Sequence, residues 1–261
     1  MSKHRAKKHL GQNFLHDPHI IENIIRQINI KTDDTLVEVG PGLGALTTQI
    51  LPITQKLNVI EYDTDVIPTL KENCEALGEL IIHHQDALKF DFEALAQNLE
   101  SKIRLVGNLP YNISSPLIFH FIKHIDSIAD MHFMLQKEVV ERICSGPGSK
   151  SYGRLSIMIQ YFCKTEALFV VPPEAFTPAP KVDSQIIRLT PHQTKQTTAQ
   201  NFERFADIVR SAFSQRRKTL RNTLKAHANI EQLEKAGIDP SARAETIPLE
   251  KFVVLSNLLE A

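Results

Sequence analysis

The sequence predicts an α/β protein built on an open sheet, followed by a smaller all-helical region, and three observations carry that reading. Apolar runs of strand length recur at residues 35–39, 57–60, 79–83 and 103–107, each followed by a polar or glycine-rich turn. The residue types that can do chemistry gather in those turns, on the carboxyl rim where open α/β sheets hold their ligands. Beyond a polar stretch at 190–200 the pattern is helical only. The boundary is therefore placed so that residues 1–190 form the α/β domain and 191–261 the helical one.

Composition narrows the classes without choosing among them. A length of 261 residues and an apolar fraction of 42% suit one large domain plus a small one, with a sizeable core. Lys+Arg and Asp+Glu are equal at 30 each, so net charge points to no partner and only its distribution is informative. Cys74, Cys144 and Cys163 are too widely spaced for a metal or redox motif, and the histidines show no ligand spacing, so no metal is assigned. No apolar run reaches membrane-spanning length, and the basic start is followed by no signal-peptide core; no membrane partner and a cytoplasmic location are expected.

In chain order, a basic arm (Lys3, Arg5, Lys7, Lys8) leads into Gly11-Gln12-Asn13-Phe14-Leu15, a turn that could lie over a ligand pocket. Asp17-Pro18 then supplies a cap and first-turn residue for a helix with Ile20, Ile21, Ile24, Ile25 and Ile28 on one face. The strand at 35–39 runs into Gly40-Pro41-Gly42-Leu43-Gly44 and a helix at 45–51, an arrangement that brings a ligand close to backbone at a helix start. The glycine spacing is G-x-G-x-G, not that of a dinucleotide site. The second strand ends in Glu61, about 20 residues beyond the loop, where an acid can accept both hydroxyls of a ribose. The third leads to Asp86, which could accept a hydrogen bond from an adenine amino group or simply cap a helix.

The fourth strand ends in Asn108-Leu109-Pro110-Tyr111, then a helix at 115–124 opened by Pro116. This quartet suggests work on an sp² amino nitrogen. Such a nitrogen becomes nucleophilic only when its hydrogens are drawn out of plane. The Asn108 amide oxygen and a nearby backbone carbonyl can accept them, Pro110 stiffens the turn, and Tyr111 offers a face for stacking a base. A strand-to-helix turn with a buried tyrosine would show the same four residues.

Strand 131–136, helix 137–145, a loop at 145–153 that reads as mobile and basic, and helix 154–163 follow. Two β segments, about 166–171 and 183–189, flank a stretch holding Pro172, Pro173, Pro178 and Pro180. Those prolines enforce an extended path that could fix Phe176 beside a pocket, or leave it in the core. In the helical region six basic residues and no acid lie between Arg210 and Lys225. A helical projection puts Val209, Phe213, Leu220 and Leu224 inward and Arg210, Arg217 and Arg221 outward, which favours a surface for nucleic-acid phosphates.

Taken together, Gln12-Asn13-Phe14-Leu15, the Glu38-to-Gly44 loop, the Asn108 quartet, the stretch from Phe176 to Ser184 and Arg216-Arg217-Lys218-Thr219-Leu220-Arg221-Asn222 closely resemble the ribosomal RNA adenine N6-dimethyltransferases, over essentially the whole chain. The nearest likeness is to the bacterial branch acting on two adjacent adenosines near the 3′ end of 16S rRNA in the small (30S) ribosomal subunit. The resemblance implies a seven-stranded S-adenosylmethionine-dependent methyltransferase domain with a helical domain after it. It implies cofactor contacts from Asn13, Leu15, Gly40, Glu61, Asp86 and Asn108. It also implies a catalytic set of Asn108, Leu109, Pro110, Tyr111 and Phe176, with Tyr111 and Phe176 sandwiching a flipped adenine. RNA contacts are expected from Arg210, Arg216, Arg217, Lys218 and Arg221, in a monomer that also serves as a checkpoint in small-subunit assembly. The rivals are the antibiotic-resistance branch acting on large-subunit RNA and a non-catalytic ribosome-assembly factor; the Arg216-to-Asn222 segment argues against the first, and the intact Glu61, Asp86 and Asn108 against the second.

Overall fold

The structure, a computed structural model, describes residues 6, 7, 10–97, 99, 101–194 and 198–260. Of the basic arm, Lys3, Arg5 and Lys8 lie outside the described residues. The strands are β1 (Phe14–Leu15), β2 (Leu36–Val39), β3 (Lys56–Glu61), β4 (Glu79–His84), β5 (Ile103–Asn108), β6 (Ile128–Gln136), β7 (Cys163–Val171), β8 (Phe176–Thr177) and β9 (Ser184–Pro191). The helices are α1 (Pro18–Ile28), α2 (Thr47–Thr54), α3 (Ile67–Cys74), α4 (Phe92–Ala96), α5 (Ser114–Lys123), α6 (Lys137–Cys144), α7 (Arg154–Gln160), α8 (Phe202–Ala212), α9 (Leu220–Thr223), α10 (Ile230–Lys235) and α11 (Leu249–Leu258).

Seven strands form one sheet in the order β4-β3-β2-β5-β6-β9-β7. β4, β3, β2, β5 and β6 run parallel, and β9 pairs antiparallel with β6. All four residues of β2 are buried, as a central parallel strand covered on both faces requires. β2 and β5 approach closely because position 107 is glycine. A Cβ there would stand 2.3 Å from the Val39 carbonyl oxygen. The gap left by that missing methyl places Asn108 next to the turn that follows β2. A second sheet of two strands joins β1 to β8, with Leu15 opposite Phe176.

At the amino end of the parallel strands the chain is locked by paired charges. Arg104 bonds Asp130 through Nε (3.0 and 3.2 Å) and Nη2 (2.9 Å), Asp34 through Nη1 (2.5 Å) and the Ile28 carbonyl through Nη2 (2.7 Å). Arg188 donates to His132 Nε2 (2.8 Å) and to the Gln27 carbonyl (2.7 Å). Two guanidinium groups thus satisfy carbonyls in the last turn of α1, where the helix dipole is negative. At the other end of α1, Asp17 Oδ1 accepts the His19 and Ile20 N–H groups (2.9 and 3.1 Å).

The chain divides into two compact units, residues 1–140 with 166–191 and residues 141–165 with 192–261. Residues 141–165, which the sequence reading puts in the first domain, group with the second unit. The reason lies in α7 and its flank. Ile157 and Ile159 are fully buried, and the Tyr161 ring packs on Phe205 at a centroid distance of 4.9 Å. The loop at 145–153 is pinned, not mobile: Gly148 N–H bonds the Glu245 carbonyl (2.7 Å) and the Tyr152 hydroxyl the Ile247 carbonyl (3.1 Å). The basic segment is not one helix. α8 ends at Ala212 and α9 begins at Leu220; of the predicted inward set, Val209, Leu220 and Leu224 are fully buried across the break, while Phe213 is partly buried.

Candidate active site

A cavity of about 380 Å³ opens on the carboxyl rim of the first unit. Each strand in its wall contributes through the turn that ends it. β2 gives Glu38, Val39 and the glycine loop, β3 gives Glu61 and Tyr62, Asp86 follows β4, and β5 gives Asn108 and its quartet. Residues 10–15 complete the wall. In the loop, Gly40 and Gly42 hold φ of 70° and 57°, which a side chain resists, and a Cβ at Gly42 would crowd the Phe14 ring at 3.2 Å.

Two carboxylates in this wall are buried with no cation beside them among the described residues. Glu38 is 2% exposed, and its Oε2 accepts the Thr47 hydroxyl at 2.6 Å. Burial raises its pKa to about 7; the Thr47 bond opposes the rise and the neighbouring Glu61 charge adds to it. Glu61 is 7% exposed and accepts N–H groups from Gly42 (3.1 Å) and Asp63 (2.8 Å). Burial lifts its pKa as well, against those bonds. Asp63 carries the opposite shift: burial is outweighed by Lys7 Nζ (2.6 Å), Gln12 Nε2 (2.7 Å) and the Asp65 N–H, which hold it below the usual carboxylate range. Asp86 is half used: Oδ1 caps the next turn at the Leu88 N–H (2.9 Å), and Oδ2 has no hydrogen bond among the described residues.

Asn108 Nδ2 donates to the Asn13 carbonyl at 2.9 Å. That bond fixes the amide plane and leaves Oδ1 without a partner among the described residues, as an acceptor on the cavity wall. Tyr111 lines the same cavity, its hydroxyl 2.5 Å from Ser184 Oγ on β9, which sets the ring's position. The arrangement offers acceptors for hydroxyls and amines, buried negative charge, close backbone and an aromatic face. It can hold a cationic nucleoside and present a free acceptor to an amino group.

Residues 3–261 match the family model described as ribosomal RNA adenine dimethylase. The chain is 54% identical over 260 residues to ribosomal RNA small subunit methyltransferase A of Hydrogenovibrio crunogenus, covering 99% of this chain and 98% of that one. Its Pseudomonas aeruginosa counterpart is 52% identical over 257 residues, covering 98% and 96%. Among solved structures, a dimethyladenosine transferase from Plasmodium falciparum superposes with a TM-score of 0.78 at 30% identity, covering 93% of this chain and 95% of the other. The 23S rRNA methyltransferase ErmE shares the fold, with a TM-score of 0.76 at 22% identity over 95% and 100% of the two chains.

The chain belongs to the ribosomal RNA adenine dimethylase family.

For a member of this family the donor set fits S-adenosylmethionine. That cofactor brings a sulfonium, an ammonium, two ribose hydroxyls and an adenine amine to a wall whose buried carboxylates, Glu38 and Glu61, have no cation among the described residues. All six positions predicted for the cofactor, Asn13, Leu15, Gly40, Glu61, Asp86 and Asn108, lie on one cavity, as do Leu109, Pro110 and Tyr111. Phe176 is not among the residues that line it: it is 3% exposed, pairs opposite Leu15 and belongs to the core cluster that includes Leu15. The sequence leaves both places open, beside a pocket or in the core.

The predicted RNA residues lie in the second unit and are exposed. Arg210 is paired with Asp207, and Arg216 with Glu245 (3.5 Å) and the Lys150 carbonyl. Arg217, Lys218 and Arg221 make no side-chain ion pair among the described residues. Sequence reasoning assigned no role to four residues that shape the site: Glu38, Asp63, Gly107 and Ser184. For Glu38 the signal was present, an acid inside a fully apolar strand pattern. For the other three the partner is distant in sequence, and nothing local marks them.

Proposed function

We propose that the rim cavity binds S-adenosylmethionine and that the protein transfers its methyl groups to N6 of two adjacent adenosines in the hairpin loop near the 3′ end of 16S rRNA, giving dimethyladenosines as part of small-subunit biogenesis. The observation that carries this is Asn108: it lines the cavity with Tyr111, its amide nitrogen is committed to the Asn13 carbonyl, and its oxygen has no partner among the described residues and can serve as an acceptor. The cofactor supplies an electrophilic methyl group on a sulfonium. Glu61 would take the ribose hydroxyls, the free oxygen of Asp86 the adenine amine, and Gly40 with Leu15 the close faces of the nucleoside. Tyr111 would stack the flipped adenine, and Asn108 with a quartet carbonyl would draw the amino hydrogens out of plane as the nitrogen turns tetrahedral. Most of the acceleration is then positioning, and no covalent enzyme intermediate is needed.

Arg217, Lys218 and Arg221, with Arg210 and Arg216, would meet the RNA phosphates. We read the protein as a cytoplasmic monomer; no helix among the described residues is long and apolar enough to cross a membrane. The test is methyl transfer from labelled S-adenosylmethionine to undermethylated small subunits, free 16S RNA and large-subunit RNA in parallel, with wild type and Asn108→Ala. Label is expected in small-subunit RNA only, and the variant should lose single-turnover rate far more than cofactor affinity. Label in large-subunit RNA, or near-normal turnover by Asn108→Ala, would overturn the reading.

A further inference from the structure

The segment that roofs the cavity is held at its two ends by different means. At residues 13–15 the tie is the Asn108–Asn13 bond and the pairing of β1 with β8. At Lys7 and Gln12 it is polar and converges on one side chain. Asp63 receives Lys7 Nζ on Oδ1 (2.6 Å) and Gln12 Nε2 on Oδ2 (2.7 Å), while the Lys7 backbone N–H donates to Gln12 Oε1 (2.8 Å). That last bond turns the Gln12 amide so that its nitrogen faces the carboxylate. Asp65 adds a second anion 2.7 Å from Lys7 Nζ. Between the ties, Gly11 holds φ of 66°, and a Cβ there would meet Asn112 Oδ1 at 2.9 Å.

We infer that Asp63 is a positioning residue that latches Lys7 and residues 10–12 at the cavity and so governs how long S-adenosylmethionine or its demethylated product stays bound. This rests on the reading of the cavity as the cofactor site. Three features separate a latch from an ordinary stabilising contact. Asp63 is 3% exposed, and its backbone N–H bonds Glu61 Oε1, so one residue ties the strap to the acid proposed for the ribose. Of the residues that reach it from the strap, Gln12 itself lines the cavity. The Lys7 side chain is 30% exposed, so the tie is open to salt, unlike the sheet beneath it. Breaking it frees the strap without touching a strand of the large sheet.

The experiment measures dissociation of S-adenosylmethionine and S-adenosylhomocysteine by stopped flow, the dissociation constants by calorimetry, and amide exchange of residues 10–15 without ligand, for wild type, Lys7→Met, Gln12→Leu and Asp63→Asn. The variants are expected to release both ligands about tenfold faster or more, since they lose charge-assisted hydrogen bonds. KM for the cofactor should rise while kcat is held, and strap amides should exchange faster. Raising the salt should speed release from wild type and have little effect on Lys7→Met. Wild-type release and strap exchange in Lys7→Met and Gln12→Leu would overturn the latch, and so would a fall in kcat with unchanged affinity. If Asp63→Asn does not fold, the two strap variants decide the matter. If wild type binds no S-adenosylmethionine, the cofactor reading fails; the strap exchange of the ligand-free variants then still judges whether Asp63 holds the strap.

Discussion

Two acids at the amino end of the parallel strands and two in the cavity wall meet burial in opposite ways. At the amino end Asp34 and Asp130 share one cation: Asp130 is pushed up by burial but pulled below its ordinary range by His132 and Arg104, and Asp34 sits 2.5 Å from the same arginine. At the carboxyl end Glu38 and Glu61 are more deeply buried, have no cation beside them among the described residues, and are both shifted upward. The first pattern is what a fold does to seal itself. The second carries an unfavourable desolvation that something outside the chain can relieve. In this family that something is a cationic nucleoside cofactor.

The contrast is sharpened first by breaking the sealed end. Arg104→Met leaves Asp130 and Asp34 without their shared cation and should cost about 3–5 kcal/mol in denaturant unfolding. Cofactor affinity per folded molecule should stay unchanged. A matching loss of affinity would mean that the two ends are not independent. Glu61→Ala works at the open end and should do the reverse. It should weaken S-adenosylmethionine by about 1.5–3 kcal/mol in calorimetry, through lost hydroxyl contacts and a loosened Gly42, with RNA binding kept.

Glu38 gives the sign of the effect. Its carboxyl goes from an ordinary value of 4.5 to about 7 on folding, so the folded state holds the extra proton between those values. Stability therefore falls as pH rises through that window and stays lower above it. Glu38→Gln should remove that slope and make the ligand-free chain more stable at pH 8, on the order of 1–3 kcal/mol, while weakening the cofactor. A variant that is less stable at pH 8 would put Glu38 with the sealed charges instead. The smallest effect belongs to the neutral polar pair of the rim. Tyr111→Phe keeps the stacking face but abandons Ser184 Oγ, and about 0.5–1.5 kcal/mol should go from stability, with a modest loss of rate in single turnover.

Much of this was legible from sequence because the signals are local. Four strands, the glycine loop, Glu61 about 20 residues on and the quartet after the fourth strand all state their positions within short windows. What was not legible depends on chain segments far apart. The Lys7–Asp63 tie spans 56 residues and the Tyr111–Ser184 bond 73. The two-residue strands β1 and β8 are too short for any periodicity, so the pairing that sets Phe176 opposite Leu15 in the core could not be read from the sequence. The basic segment misled in another way: its apolar spacing suits one helix, but the chain breaks at 213–219 and keeps Val209, Leu220 and Leu224 buried across the gap while Phe213 is partly exposed.

The central claim is that the carboxyl end holds an uncompensated negative charge reserved for the cofactor. Titrating S-adenosylmethionine into the protein near pH 6.5, in two buffers of different ionisation enthalpy, tests it most directly. Glu38 is then mostly protonated, and the arrival of positive charge should drive its proton off. The account predicts net proton release that fades above about pH 8 and disappears in Glu38→Gln. Binding with no proton exchange, or with uptake, would contradict it.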